Sequence, residues 1–257
     1  TAVFATAAFI ALLNNKKVII LATTEILLQQ HNDVLTKVFA HTKYKVQVLS
    51  SKDKTREIDT ADVLITTHAI LYKNDLPRGI GLIIIDEQHR FGVSQRFELI
   101  KKATVHKITP HVLTVSATPI PRSLALILHG SLDLSVIDEL PKGRIPVITR
   151  LVTDSVRIKA YEWLGRQIST SGMQIFVVCP LIDDSETDKS AELKSVSSAY
   201  EELKKAFPTR SIEIIHSKLK NQQEIIEKFR NRTIDILVAT TVVEVGVDIP
   251  NATCMVV

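Results

Sequence analysis

The sequence predicts an α/β fold made of two lobes, each built around a parallel sheet. Short β-branched apolar runs alternate with amphipathic helical patterns along all 257 residues. Several runs, such as Leu-Ile-Ile-Ile at 82–85, are apolar without interruption, which is typical of parallel strands covered by helices on both faces. The alternation breaks at 138–146, where two prolines and a glycine fall among charged residues. We therefore predict lobes at 1–140 and 141–257, with an ordinary surface loop at the break as the alternative.

Nine apolar runs have the length and composition of strands, and helical patterns lie between them. The predicted strands cover residues 17–22, 45–49, 62–66, 82–86, 111–116, 174–179, 211–215, 235–240 and 254–257. Helical periodicity is clear at 221–230, where Ile225, Ile226 and Phe229 share one face. A helical pattern at 155–168 predicts that Trp163 lies in the core.

Composition excludes several classes of protein. With 45% hydrophobic and 23% charged residues, the chain is too apolar to be disordered. Its two cysteines, Cys179 and Cys254, form no CxxC motif, which argues against a disulfide framework or a zinc ribbon and favours the cytoplasm. No apolar run approaches the roughly 18 residues of a membrane span, and the apolar start lacks the basic residues of a signal peptide. A net charge of +4 permits a polyanionic partner.

Two adjacent carboxylates, Asp86 and Glu87, end one buried strand. Ligands of open α/β sheets bind beyond the carboxyl ends of the strands, so both acids lie where a site is expected. One carboxylate can hold Mg²⁺, while the next orients and deprotonates a water that attacks a nucleotide phosphate. Gln88 and His89 complete the tetrad. The alternative is a polar strand end or a helix cap.

A group of small residues, Ser116, Ala117 and Thr118, follows the next predicted strand. Hydroxyl groups at this strand end can hydrogen-bond across to Glu87 or His89. Rearrangement of those bonds as phosphate leaves would pass the state of the nucleotide to the rest of the protein. The alternative is a cap before a helix that starts with proline, and both interpretations can hold together.

Three further strand ends carry threonine pairs or neighbouring polar residues. Hydroxyl groups there, and the N-termini of helices, are suited to phosphate contacts. The candidates are Thr23, Thr24, Thr67, His68, Thr240 and Thr241. Gly246 would allow close backbone approach, and Asp248 could meet a ribose hydroxyl or the opposing lobe. Taken singly, a threonine pair is more often a helix cap. His31 and most other histidines show no metal-ligand spacing.

Together these segments resemble the superfamily 2 helicases and translocases, and among them the RecG family of branched-DNA helicases. The matching segments, in the order of that family, are residues 24–27, 67–69, 85–93, 117–122, 135–141 and 239–252. The resemblance therefore covers nearly the whole chain. Transcription-coupled repair translocases are the nearest alternative. That family usually has Asp-Glu-Glu-Gln at the tetrad and lacks the Asp-Glu-Leu-Pro found here at 138–141.

The resemblance implies two RecA-like lobes, each a three-layer α/β/α unit, that clamp ATP between them. Asp86 corresponds to the Walker B acid that coordinates Mg²⁺, Glu87 to the general base, and Thr1 to a second Mg²⁺ ligand. Gln88 and His89 would couple this site to the serine and threonine motif. The implied DNA-backbone contacts are Thr23, Thr24, Thr67 and His68 in the first lobe, and Thr240, Thr241 and Gly246 in the second. Gly246 and Asp248 are also implied in nucleotide binding.

The implied function is an ATP-dependent DNA helicase or translocase that remodels stalled forks and Holliday junctions in recombination and repair, as a cytoplasmic monomer. In that family a Gly-rich phosphate loop with its lysine would precede Thr1, and an arginine motif would follow Val257. The resemblance therefore implies that both lobes are incomplete at the chain ends and that this stretch alone does not hydrolyse ATP. A non-hydrolysing nucleic-acid scaffold of the same architecture is the alternative from another class.

Overall fold

The computed structural model describes residues 1–50, 58, 60–73, 76–87, 91–116, 133–139, 143–179, 189–216, 219, 221–240 and 249–257, with the backbone alone at 189–194. The chain divides into two compact units, Thr1–Glu139 and Leu140–Val257, and each contains one parallel sheet. Because helices alternate with parallel strands in both units, the predicted fold class is confirmed. Within the described residues, no helix is long and apolar enough to cross a lipid bilayer.

In the described part of the first unit, five strands alternate with α-helices and one short 3₁₀ helix. The elements are α1 (Ala2–Leu13), β1 (Lys17–Leu21), α2 (Glu25–Phe39), β2 (Val46–Leu49), β3 (Val63–Thr66), the 3₁₀ helix (His68–Tyr72), β4 (Ile80–Asp86), α3 (Val93–Ala103) and β5 (His111–Val115). The sheet order is β2-β3-β1-β4-β5, and every neighbouring pair is parallel. The first five predicted strands are therefore confirmed, with ends that differ by one or two residues.

Strand β4 passes through the centre of the first unit. Ile83 and Ile85 belong to one hydrophobic cluster together with Leu99 of α3, and Ile84, which points to the opposite face, is also fully buried. Since both faces are covered, the strand carries apolar residues from Leu82 onward until it leaves the core. Its first carboxylate, Asp86, therefore lies at the carboxyl edge of the sheet.

The pairing of β1 with β4 contains a one-residue register shift at Gly81. A Cβ at this position would lie 2.5 Å from the Cβ of Lys16, which is too close for any side chain unless the backbone moves. Glycine allows the two segments to approach. Beyond the shift, the strands stay in register as far as Leu21 and Ile85, and their ends lie side by side.

In the described part of the second unit, four strands alternate with helices. The elements are a 3₁₀ helix (Asp154–Val156), α4 (Arg157–Ser171), β6 (Gln174–Val178), α5 (Lys189–Ala206), β7 (Ile212–Ile215), α6 (Gln222–Arg230), β8 (Ile236–Ala239) and β9 (Ala252–Val256). The sheet order is β7-β8-β6-β9, again with parallel neighbours. The last four predicted strands are confirmed with the same small shifts at their ends.

Helix α4 shows one error of the sequence analysis. Leu164 and Ile168 are buried in the core of the second unit, but Trp163 is 47% exposed, so the prediction that it lies in the core is wrong. Successive helical residues point about 100° apart, and Trp163 therefore lies beside the buried stripe and not within it.

The two sheets repeat one arrangement. In the order β2-β3-β1-β4 and in the order β7-β8-β6-β9, the strands follow the same sequence of chain positions. The equivalence extends to the residue that follows β1 and β6 in each unit. Ala22 N–H donates to Thr66 O at 2.8 Å, and Cys179 N–H donates to Ala239 O at 2.8 Å. Thr67 and Thr240, one residue further, therefore occupy equivalent positions.

Two isoleucines on helices of the second unit provide a matched test of this core. Ile226 on α6 is 2% exposed and Ile158 on α4 is 74% exposed. We expect Ile226→Ala to lower the free energy of unfolding by about 2–5 kcal/mol, because it removes buried surface and leaves a cavity. Ile158→Ala should change it by no more than about 0.5 kcal/mol. Urea denaturation followed by circular dichroism measures both values, and equal effects would contradict the assigned packing.

Candidate functional site

The predicted site residues of the first unit follow neighbouring strands at one edge of the sheet. Leu21 of β1 pairs with Thr66 of β3 and with Ile85 of β4, and Asp86 pairs with Val115 of β5. Parallel strands are about 4.8 Å apart, so the ends of β3, β1, β4 and β5 span about 15 Å. The predicted site residues within three positions after these ends are Thr23, Thr24, Thr67, His68, Glu87 and Ser116.

At the end of β4, the Asp86 carboxylate contacts a histidine from α2. His31 Nε2 lies 2.9 Å from Asp86 Oδ2, and the side chains are 4% and 17% exposed respectively. A carboxylate offers only acceptors, so the Nε2–H group of His31 is the hydrogen-bond donor in this pair. The sequence analysis missed this pair. The available signal was a histidine on a helix face whose other members, such as Leu28 and Leu35, are apolar and buried.

Glu87 adopts an unusual backbone conformation. Its φ of +47° lies in the left-handed region, where a residue with a Cβ is destabilised by about 1–2 kcal/mol. Such strain is found at functional sites, where the direction of one side chain matters more than local stability. Ser116 Oγ donates to Glu87 Oε2 at 3.4 Å, which is a long hydrogen bond. The end of β5 therefore contacts the second carboxylate of the pair.

Thr24 is the N-cap of α2. Its backbone is extended, and Oγ1 accepts a hydrogen bond from Leu27 N–H at 3.2 Å. The hydroxyl hydrogen of Thr24 remains able to donate to another acceptor. The neighbouring Thr23 Oγ1 is buried without a hydrogen-bond partner in the described part of the chain. Two hydroxyl groups with donor capacity therefore lie together at the start of α2.

Thr67 and His68 have local structural contacts. Thr67 Oγ1 accepts from Ala69 N–H at 3.5 Å and so caps the 3₁₀ helix. The His68 ring stacks on Phe91, with centroids 4.5 Å apart and planes inclined by 24°. This stack connects the end of β3 with the segment that follows the acidic tetrad.

Thr1 lies at the N-cap position of α1, and its exposed side chain makes no capping hydrogen bond. One turn later, the Phe4 ring contacts His31, with centroids 5.3 Å apart. Since His31 in turn contacts Asp86, the first turn of α1 is connected to the acidic strand end through these two rings.

In the second unit, Thr240 follows β8. Its side chain is 1% exposed, and Oγ1 has no hydrogen-bond partner among the residues that the structure describes. Its N–H donates to Ile215 O at 3.3 Å. The remaining predicted site residues lie outside the described residues: Gln88, His89, Ala117, Thr118, Thr241, Gly246 and Asp248.

The donor groups at the end of β4 fit a magnesium nucleotide. Mg²⁺ prefers oxygen ligands and is usually held by one or two carboxylates together with phosphate oxygens and waters. Asp86 supplies a partly exposed carboxylate whose Oδ2 is held by His31, and Oδ1 is its second oxygen. In the described ranges no three His, Cys, Asp or Glu side chains cluster as metal ligands, so this would be a site that depends on the nucleotide.

Two family models match the chain over most of its length. The model of the DEAD/DEAH box helicases matches residues 1–127, and that of the helicase conserved C-terminal domain matches residues 159–257. The chain therefore belongs to the helicases with this pair of domains. Within that class its sequence is similar to RecG proteins.

The curated relatives show this RecG similarity. The chain is 38% identical to the ATP-dependent DNA helicase RecG of Escherichia coli K12 over 100% of its own length and 38% of that protein. It is 40% identical to the Synechocystis protein of the same name, over 93% of the chain and 29% of that protein. The chain thus spans about a third of the length of these relatives.

Solved structures agree with the sequence comparison. A structure of RecG bound to a three-way DNA junction matches 93% of this chain and 31% of that chain, with 33% identity and a TM-score of 0.67. The Saccharomyces cerevisiae protein Dbp5, bound to RNA and ADP BeF3, matches 92% of this chain and 60% of that chain. Its TM-score is 0.66, but its identity of 19% supports the fold alone.

The cap of α2 can be tested by substitution. Thr24→Ala removes the side-chain acceptor for Leu27 N–H, and we expect it to lower the free energy of unfolding by about 1 kcal/mol. Thr24→Asp should preserve stability, because aspartate caps helices well and its charge favours the N-terminus. Chemical denaturation of both variants measures the difference. Unchanged stability of Thr24→Ala would show that the cap contributes little.

Proposed function

We propose that this chain supplies the two-lobed motor of a RecG-type ATP-dependent DNA helicase, which couples ATP hydrolysis to remodelling of branched DNA such as stalled forks and Holliday junctions. The observation that carries the proposal is the Asp86–Glu87 pair at the carboxyl edge of a parallel sheet. The similarity of the whole chain to about a third of the RecG proteins supports the choice of reaction and of substrate. The corresponding biological role is recombination and repair.

In the proposed reaction, each carboxylate has a separate task. Asp86 and Thr1 would be the protein ligands for Mg²⁺, which when bound supplies positive charge for the phosphates of ATP. Glu87 orients the attacking water and accepts its proton. Ser116, which already donates to Glu87, would hold this carboxylate in position between turnovers. Gln88 and His89 would connect the site with residues 116–118.

DNA is the proposed partner, contacted through its backbone. Thr24 of the first unit carries a partly exposed hydroxyl group at a strand end. The hydroxyl groups of Thr23 and of Thr240 in the second unit are buried and lack a partner within the described residues, so a local rearrangement would have to expose them to DNA. Hydroxyl groups of this kind bind phosphate oxygens and read no sequence. We also propose that Thr67, His68, Thr241 and Gly246 contribute to the same DNA-binding surface. Gly246 and Asp248 would contact the nucleotide, and the protein would act as a cytoplasmic monomer.

The role of Glu87 can be tested with a matched pair of variants of the complete protein. We expect Glu87→Gln to lower DNA-stimulated ATP hydrolysis by at least about 100-fold, because the amide cannot accept the proton of the water. Binding of a fluorescent ATP analogue should survive. Glu98→Gln, on the exposed surface of α3, is the control and should leave turnover unchanged. Near-normal hydrolysis by Glu87→Gln would contradict the role assigned to Glu87, whereas no hydrolysis by the original protein would favour the non-hydrolysing scaffold.

The proposed phosphate contact of Thr24 predicts a loss of DNA affinity without a loss of stability. In Thr24→Asp the cap is kept, but a negative charge faces the DNA backbone, and we expect several-fold weaker binding to a three-way junction at fixed salt. Thr36→Asp adds the same charge at an exposed position further along α2 and serves as the control. Fluorescence anisotropy measures both affinities. Equal affinities of the two variants would place the DNA elsewhere.

A further inference from the structure

We propose that His31 is a positioning residue that orients the Asp86 carboxylate for its metal. The inference rests on the proposed function, because it assigns His31 to the same magnesium site. It adds a residue from α2, 55 positions away from Asp86 in the chain, which the acidic tetrad itself does not contain.

The hydrogen bond from His31 restricts rotation of the Asp86 side chain. Its backbone is fixed by pairing of β4 with β5, where Asp86 lies opposite Val115. The side chain can still rotate at the end of the strand. The hydrogen bond of 2.9 Å from His31 Nε2 holds Oδ2, and the burial of His31 shields this bond from water. Oδ1 is thereby left as the oxygen that can meet a cation.

His31 is in turn held by its surroundings. It lies on the buried face of α2, and the Phe4 ring packs against it at 5.3 Å with planes inclined by 56°. The imidazole therefore has little room to turn away from Asp86. A rigid donor on a helix positions a carboxylate better than a flexible surface side chain would.

Packing alone does not account for a histidine at this position. His31 Nδ1 is buried and has no hydrogen-bond partner within the described ranges, so the ring carries an unsatisfied polar atom into the core. Leucine or phenylalanine would fill the same space without that cost. The compensating interaction is the hydrogen bond to Asp86, which an apolar side chain cannot form.

Two substitutions separate the donor from the ring. His31→Phe keeps an aromatic ring beside Phe4 but removes the donor to Asp86. His31→Gln keeps an N–H donor within reach of Asp86 but removes the ring. A positioning role predicts that Phe is damaging and Gln is tolerated, whereas a packing role predicts the reverse order.

The measurement uses the complete protein and reports metal binding directly. Mn²⁺ is titrated into protein with a non-hydrolysable ATP analogue, and free Mn²⁺ is followed by electron paramagnetic resonance. We expect His31→Phe to weaken Mn²⁺ binding by about 10-fold or more, and His31→Gln to stay within about threefold of the original protein. The Mg²⁺ concentration that gives half-maximal ATP hydrolysis should shift in the same order. Thermal unfolding of each variant, without metal, shows whether the fold is intact.

Each result decides the proposal. Unchanged Mn²⁺ binding in His31→Phe, or a larger loss in His31→Gln than in His31→Phe, would overturn it. If His31→Phe does not fold, His31→Met replaces it, because the flexible thioether fills the site without an N–H donor. If the original protein neither hydrolyses ATP nor binds Mn²⁺ with the analogue, the proposed function itself is wrong, and this outcome is recognised before any variant is compared.

Discussion

The parallel pairing of β4 with β1 and β5 is the constraint on which the candidate site depends. Because β4 is buried on both faces, its apolar run must end before a charge can appear, and the pairing places that end beside those of its neighbours. Asp86 and Ser116 come from separate parts of the sequence, yet the register brings their strand ends together. The chemistry of the edge therefore follows from the burial of the strand.

The fold could be predicted because its signals are local. An uninterrupted apolar run identified β4, and the same pattern identified β6 and β8 in the second unit, with ends that shifted only slightly. Trp163 was misplaced, because helical periodicity specifies a buried stripe less exactly at its margins. The acidic pair could also be found, since two carboxylates directly after a buried strand are a local feature.

The contact between His31 and Asp86 lay beyond sequence reasoning for a different reason. It depends on how α2 packs against the sheet, and no spacing in the chain reports that distance. The left-handed backbone of Glu87 was equally hidden, because glutamate carries no preference for positive φ. What the sequence did contain was an isolated histidine within an apolar helix face. Such a residue is a reason to search for a buried acidic partner once a fold is known.

Helix α2 joins two tasks in one rigid element: it begins at the capping hydroxyl of Thr24 and, seven residues later, carries the imidazole that holds Asp86. If a DNA phosphate bound at Thr24 changes the affinity of the Asp86 site for its metal through this helix, thermodynamic linkage requires that the metal change the affinity for DNA equally. The affinity for DNA and the affinity for the magnesium nucleotide would then change each other by the same factor. In such a motor, one short helix would provide the coupling between the two ligands.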